Sequence, residues 1–118
     1  MKQETLEAIR TFRDERNWRR FHTAKDLAIS ISLEASELLE LFQWVDSGEA
    51  VAHDKDEMAD ELADVLIYLV QFADLLGLDL DAVVMDKLRK NAEKYPVDAV
   101  RTCRDKYDLS PCPQSKGR

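Results

Sequence analysis

Little in this chain can break a helix, staple a fold or anchor it in a bilayer. It has three glycines, three prolines and two cysteines in 118 residues. So few breakers exclude a loop-rich scaffold, and with 45% hydrophobic residues the composition favours a folded, mostly helical domain over a disordered one. No apolar run approaches the roughly 20 residues that span a bilayer, and the N-terminus, "MKQETLEAIRTFRDER", lacks the apolar core of a signal peptide. Cys103 and Cys112 lack metal-site spacing and read as free thiols of a reducing compartment, so a cytoplasmic location is expected. Bases are also in deficit: 17 against 24 acids, for a formal net charge of -7. Such a surface repels phosphate backbones, which argues against nucleic acid as a partner, and a membrane partner is not expected either.

What is present is helical periodicity. Leu6, Ile9 and Phe12 recur at helical spacing, and Trp18 and Phe21 follow in a short link. Thr23 is an N-cap for a second helix with Asp26 three residues on, and "DSGE" breaks that helix near Val45. A polar link ends near Asp54, and a third helix runs from about Lys55 to Leu76, with Gly77 suited to its C-terminal cap. Asp79 caps a fourth helix reaching about Tyr95, where Pro96 stops it. There is no strand signal. The fold class expected is all-α, a four-helix bundle protomer. The second helix is apolar nearly all round, with Ile29, Leu33, Leu39 and Phe42 pointing away from the stripe of Leu27, Ile31, Leu38 and Leu41. One small bundle has little room to surround such a helix, so a second subunit is expected to cover part of it.

Carboxylates interrupt these apolar helices in pairs. Glu34 and Glu37 lie three residues apart on the second helix, and Glu61 and Asp64 on the third. If the two helices are antiparallel neighbours, Glu37 lies about 12 Å before the link and Asp64 about 13.5 Å beyond it, nearly level. Four converging carboxylates repel unless protons or cations compensate. Oxygen-only ligation favours Mg²⁺, with Mn²⁺ as a substitute. Glu57, one turn before Glu61, is either a further ligand or a solvated first-turn acid. On the fourth helix, Lys87, Asn91 and Lys94 recur at i, i+4 and i+7, and an antiparallel return would bring Asn91 level with the acids. Acids for a metal beside lysines for phosphate oxygens are what a metal–phosphate site needs.

"EASE" followed by "ELAD" resembles the E-x-x-E…E-x-x-D signature of the MazG-like, all-α nucleoside triphosphate pyrophosphohydrolases. "ELLELFQW", "ELADVLIYLVQFADLLGLDL", "NWRRFHTAKDLAISISLEASELLELFQW" and "KLRKNAEKYP" look like the dCTP pyrophosphatase branch. The resemblance covers about positions 14 to 97 and implies a domain over 1–109, with "SPCPQSKGR" leaving 110–118 as a disordered tail. It implies Mg²⁺-dependent hydrolysis of a nucleoside triphosphate, dCTP or a modified dCTP, to the monophosphate and pyrophosphate, as nucleotide-pool cleansing. It assigns Glu34, Glu37, Glu61 and Asp64 to the metal and Lys87, Asn91 and Tyr95 to phosphate and sugar, with Lys94 as an addition. Trp18, His22 and Trp44 match positions near the base. The family's assembly implies a homodimer or homotetramer. After "KYP" the chain departs from the pattern, with Cys103 near the usual glycine but Lys106 and Tyr107 retained.

Within this reading one carboxylate must stay free to take a proton from water, and Glu34 is the candidate base. Tryptophans near helix ends also seal cores, and stacking accepts any base, so Trp18 and Trp44 argue for a nucleobase without naming it. His22 serves base or sugar contact, or simply packs. A di-iron bundle would use Glu-x-x-His pairs, but Glu37 and Asp64 stand at those fourth positions. The alternative is a non-catalytic helical dimer acting as an interaction module. It accounts for the apolar surfaces but not for the paired acids and aligned lysines.

Overall fold

A computed structural model describes residues 1–100, with side chains through Asp98. All regular structure among them is helical: α1 (Gln3–Glu15), a 3₁₀ turn (Arg19–Phe21), α2 (Ala24–Glu40), α3 (Ser47–Leu75), α4 (Leu80–Lys94) and a short α5 (Val97–Val100). The segment expected to be a tail, 110–118, and both cysteines lie outside the described residues. The chain divides into two compact units, Met1–Asp79 and the part from Leu80 onward. In the first unit α3 is the common partner of α2 and α1. The buried apolar side chains are Leu27 on α2 and Ala50, Val70 and Ala73 on α3. None of the described helices is long and apolar enough to cross a membrane.

Caps set the ends of these helices. The Thr23 hydroxyl accepts from the Asp26 amide at 3.1 Å, opening α2 as its sequence implies. At the end of α3, Gly77 has φ of 68°, its amide donates to the Asp74 carbonyl, and the Leu78 amide donates to the Ala73 carbonyl. That is a Schellman motif, which needs a residue tolerant of left-handed backbone. The same pattern closes α1 with asparagine in place of glycine. Asn17 has φ of 53°, its amide donates to the Asp14 carbonyl, and the Trp18 amide donates to the Arg13 carbonyl. Trp18 therefore leaves α1 at an angle set by the cap and meets Phe12 edge-on at 5.8 Å.

Two boundaries differ from the sequence reading. α2 stops at Glu40 rather than near Val45, because Leu41, Phe42 and Gln43 donate to carbonyls three residues back and Trp44 turns left-handed at φ 68°. The stretch expected to be a polar link is itself helical. Asp46 accepts from the Glu49 amide at 2.8 Å, so "DSGE" both ends one helix and caps the next. The expected start of the third helix survives as a kink at Asp54 (φ -119°, ψ 22°) inside α3.

Apolar side chains of the single chain remain uncovered. Leu33 is 61% exposed and Leu39 70% on α2, and Leu62 is 62% exposed on α3. Among the described residues, α2 and α3 thus carry exposed apolar side chains of the kind that a partner surface covers.

Candidate active site

Packing of α2 against α3 brings three of the four predicted acids together. One carboxylate oxygen from each of Glu34, Glu61 and Asp64 lies within 4.8 Å of the others. Glu34 and Glu61 are half-buried and Asp64 is exposed. Each glutamate keeps one oxygen, Oε2, shut away from solvent without a hydrogen-bond partner. Glu37 is exposed and stands outside this trio, yet its neighbouring carboxylate acts on Glu34 and Glu61. Burial first, then Glu37, Asp64 and Glu61, push the Glu34 carboxyl up to about 7. Burial and then Glu37, with Asp64 and Asp60 adding charge, raise Glu61 as well. A carboxyl raised to about 7, as that of Glu34 is, holds a proton in mildly acidic solution that it would release to a cation.

The donor set fits a hard divalent cation. It consists of oxygens only, from residues on two rigid helices, with two buried oxygens lacking any protein partner. Among the described residues no histidine or cysteine joins the cluster. Glu57, on the solvent side of α3, is exposed and outside it, as a first-turn acid on the stretch after the kink would be.

Beside the acids a cavity of about 420 Å³ opens between α1 and α3. Asp64 lines it and so connects it to the carboxylate trio. Its walls include Ile9, Phe12, Trp18, His22, Tyr68 and Gln71. Two of the three predicted base-side residues, Trp18 and His22, are therefore together at one cavity. Burial and then the Arg13 charge lower the His22 pKa, which keeps its imidazole neutral at neutral pH. Arg13, almost fully buried, is fixed by Asp14 and Asp74 and ties α1 to α3. Trp44 is placed differently: it is 92% exposed, and it does not line this cavity.

The predicted cationic stripe is continuous on α4, in the second unit. Arg89 and Lys90 are occupied by Asp86 and Glu93, whereas no ion pair among the described residues engages Lys87 or Lys94. Lys94 sits over the Tyr95 ring at 5.4 Å, and Asn91 is half-buried.

Phe12, Tyr68 and Gln71 were missed as site residues. The signal was there for two of them: from Glu61, the positions Asp64, Tyr68 and Gln71 continue one helix face at i+3, i+7 and i+10. Phe12 gave no such signal, since it reads as an ordinary core position of α1.

An all-helical fold with a carboxylate cluster opening onto an aromatic-lined cavity defines the class. The chain belongs to the MazG-like family, which it matches over residues 29–108. It is 37% identical over 116 residues to the human protein named dCTP pyrophosphatase 1, covering 91% of this chain and 68% of that protein. To the rat protein of the same name it is 39% identical over 112 residues, covering 87% and 66%. The chain thus spans about two thirds of the length of these relatives. A solved pyrophosphatase from Archaeoglobus fulgidus is similar with a TM-score of 0.76 and 45% identity, over 80% of this chain and 91% of that one. The fold is that of this all-α type.

Proposed function

We propose that this protein hydrolyses a nucleoside triphosphate, dCTP or a modified dCTP, to the monophosphate and pyrophosphate in a Mg²⁺-dependent reaction. The observation that carries the reading is the pair of orphaned buried oxygens on Glu34 and Glu61, beside Asp64, whose other side opens into the aromatic cavity. An anion-binding cation and an aryl-binding wall at the two ends of one cleft suit a nucleotide. The relatives named dCTP pyrophosphatase supply the choice of base.

Glu34, Glu61 and Asp64 would hold the cation, with Glu37 completing the charge. A divalent cation there supplies Lewis acidity that offsets phosphate charge and makes water easier to deprotonate. The chain's own residues do the rest. Glu34 is the base: with one carboxylate oxygen toward the cation, its other oxygen stays free to take the proton of the attacking water. Trp18 presents a ring face and His22 a neutral imidazole to the nucleoside. Lys87, Asn91, Lys94 and Tyr95 are assigned to phosphate and sugar on family resemblance and charge. Trp44 keeps its base-side assignment on the same resemblance, in an assembled dimer or tetramer that covers the open faces of α2 and α3. No covalent nucleophile is required, because pyrophosphate leaves against positive charge.

The test is a panel of deoxynucleoside and ribonucleoside triphosphates with Mg²⁺, measuring pyrophosphate and orthophosphate separately. Pyrophosphate release, greatest from dCTP, is the expected outcome. Orthophosphate alone, or no release from any triphosphate, would overturn the proposal.

A further inference from the structure

Gln71 is the most deeply buried polar side chain at the cavity. It is 5% exposed, and its carbonyl oxygen Oε1 is sealed from solvent with no hydrogen-bond donor. Buried polar atoms in folded proteins are almost always paired, because an unpaired one has lost water and gained nothing. An aliphatic residue at this buried position would fill the same space without that cost. The amide therefore serves something other than the core.

Its position says what that is. Gln71 lies on the same face of α3 as Asp64, seven residues further along, an axial rise of about 10 Å. Both line the one cavity, with Tyr68 between them and Trp18 and His22 also on its walls. A nucleotide whose phosphates lie at the Asp64 end directs its base toward Gln71. In a pyrimidine the substituent at C4 is farthest from the sugar and penetrates deepest. In cytosine that substituent is an amine, a donor; in uracil and thymine it is a carbonyl, an acceptor. The terminal torsion of a glutamine is soft, so Oε1 can turn into the cavity to meet a donor.

We infer that Gln71 is a specificity-determining residue that reads the base edge, its Oε1 accepting a hydrogen bond from the exocyclic amine of a cytosine-type base and disfavouring a carbonyl there. This rests on the nucleotide reading proposed above and adds a residue-level reason for its choice of base. A site that has buried an unpaired acceptor binds the matching donor and rejects an analogue presenting a second acceptor. Leaving a buried acceptor unmatched separates the wrong base from the right one by about 5- to 150-fold.

The experiment compares wild type with Gln71→Leu, a change close in volume that removes both polar atoms. Steady-state kcat/KM is measured for dCTP and dUTP with Mg²⁺. Binding of the monophosphates dCMP and dUMP is measured by calorimetry in chelator, and Tm is recorded without ligand. Wild type is expected to favour dCTP and dCMP by at least about 5-fold. In Gln71→Leu the preference should collapse toward unity, through weaker binding of the cytosine nucleotides and relief of the penalty on the uracil ones, while ligand-free Tm holds or rises. A preference for cytosine nucleotides that persists in the folded variant overturns the inference. So does a wild-type preference for uracil nucleotides, or a fall in ligand-free Tm with selectivity intact, which makes Gln71 a packing residue. If no triphosphate is hydrolysed, the proposed activity fails, and the calorimetric ratio alone decides the role of Gln71.

Discussion

Arg13 on α1 and Asp74 on α3 meet at 2.6 Å between Nη1 and Oδ2, with the arginine side chain 3% exposed. Arg10 adds a second bond to the same carboxylate at 3.0 Å. These bonds tie α1 to the end of α3 and so hold the two walls of the cavity together. Removing Asp74 leaves the buried guanidinium with Asp14 alone. Asp74→Ala should cost about 2–3 kcal/mol, read as a shift in urea midpoint. Burial works to raise the Asp74 pKa, but the bond from Arg13 and the charges of Arg10 and Arg13 outweigh it, and the net direction is downward. A lowered folded pKa means that this stability is present above the ordinary value of 3.8 and is lost as pH falls through the folded value. The Asp74→Ala deficit should therefore shrink in strong acid.

The carboxylate trio predicts the opposite slope at higher pH. With the Glu34 carboxyl raised from 4.5 to about 7, the folded state holds a proton that the unfolded state has lost. In chelator, stability should fall as pH rises from about 4.5 through 7, and thermal melts at pH 5 and pH 8 read the difference. Glu34→Gln should flatten that slope and raise the chelated Tm at pH 8. Added Mg²⁺ should restore wild type at pH 8 and do little for the variant. A wild-type melt insensitive to pH across this window would remove the trio's repulsion from the account.

Asp64 belongs to both the carboxylate trio and the cavity. Asp64→Asn removes its charge with almost no change in shape. Mg²⁺-dependent turnover should fall about 100-fold or more, while the metal-free Tm holds or rises. Full activity in a folded Asp64→Asn protein would separate the acids from catalysis.

The two tryptophans should behave differently. Trp18 lines the cavity and packs edge-on against Phe12, so Trp18→Ala should raise KM by about 5- to 150-fold, the range of one stacking contact, with a smaller change in kcat. Trp44, 92% exposed, should leave urea stability unchanged when replaced by alanine at dilutions where the chain is monomeric. A loss of stability for Trp44→Ala under those conditions would mean that it packs within the chain.

Open apolar faces on α2 and α3 predict assembly. Sedimentation at micromolar concentration should give a dimer or tetramer, and Leu33→Lys with Leu39→Lys should yield a 13.6 kDa monomer. A stable wild-type monomer across this range would leave those faces without an assembly role.

Local physics made much of this legible from residue order alone. Helices follow from apolar spacing, and their caps from single residues: Thr23 opens α2, and Gly77 closes α3 because it alone tolerates its left-handed turn without strain. The acids were recognisable because carboxylates at i, i+3 on apolar helices are costly unless something is held there. Cap geometry beyond the obvious signals was not. "DSGE" reads as a break but also starts a helix, since the Asp46 side chain accepts from the Glu49 amide. Side-chain partnership across helices lay further out of reach, because it depends on how α1 and α2 pack on α3. That packing chose Glu34, Glu61 and Asp64 as the close trio and left Glu37 at its edge. It set Trp18 and His22 into the cavity but left Trp44 in solvent, and it buried Gln71 without a partner. Residue order determines which groups each helix face can offer, through a fixed 100° turn per residue. Only tertiary structure decides which offered groups meet, because distances between helices are set by packing rather than by position along the chain.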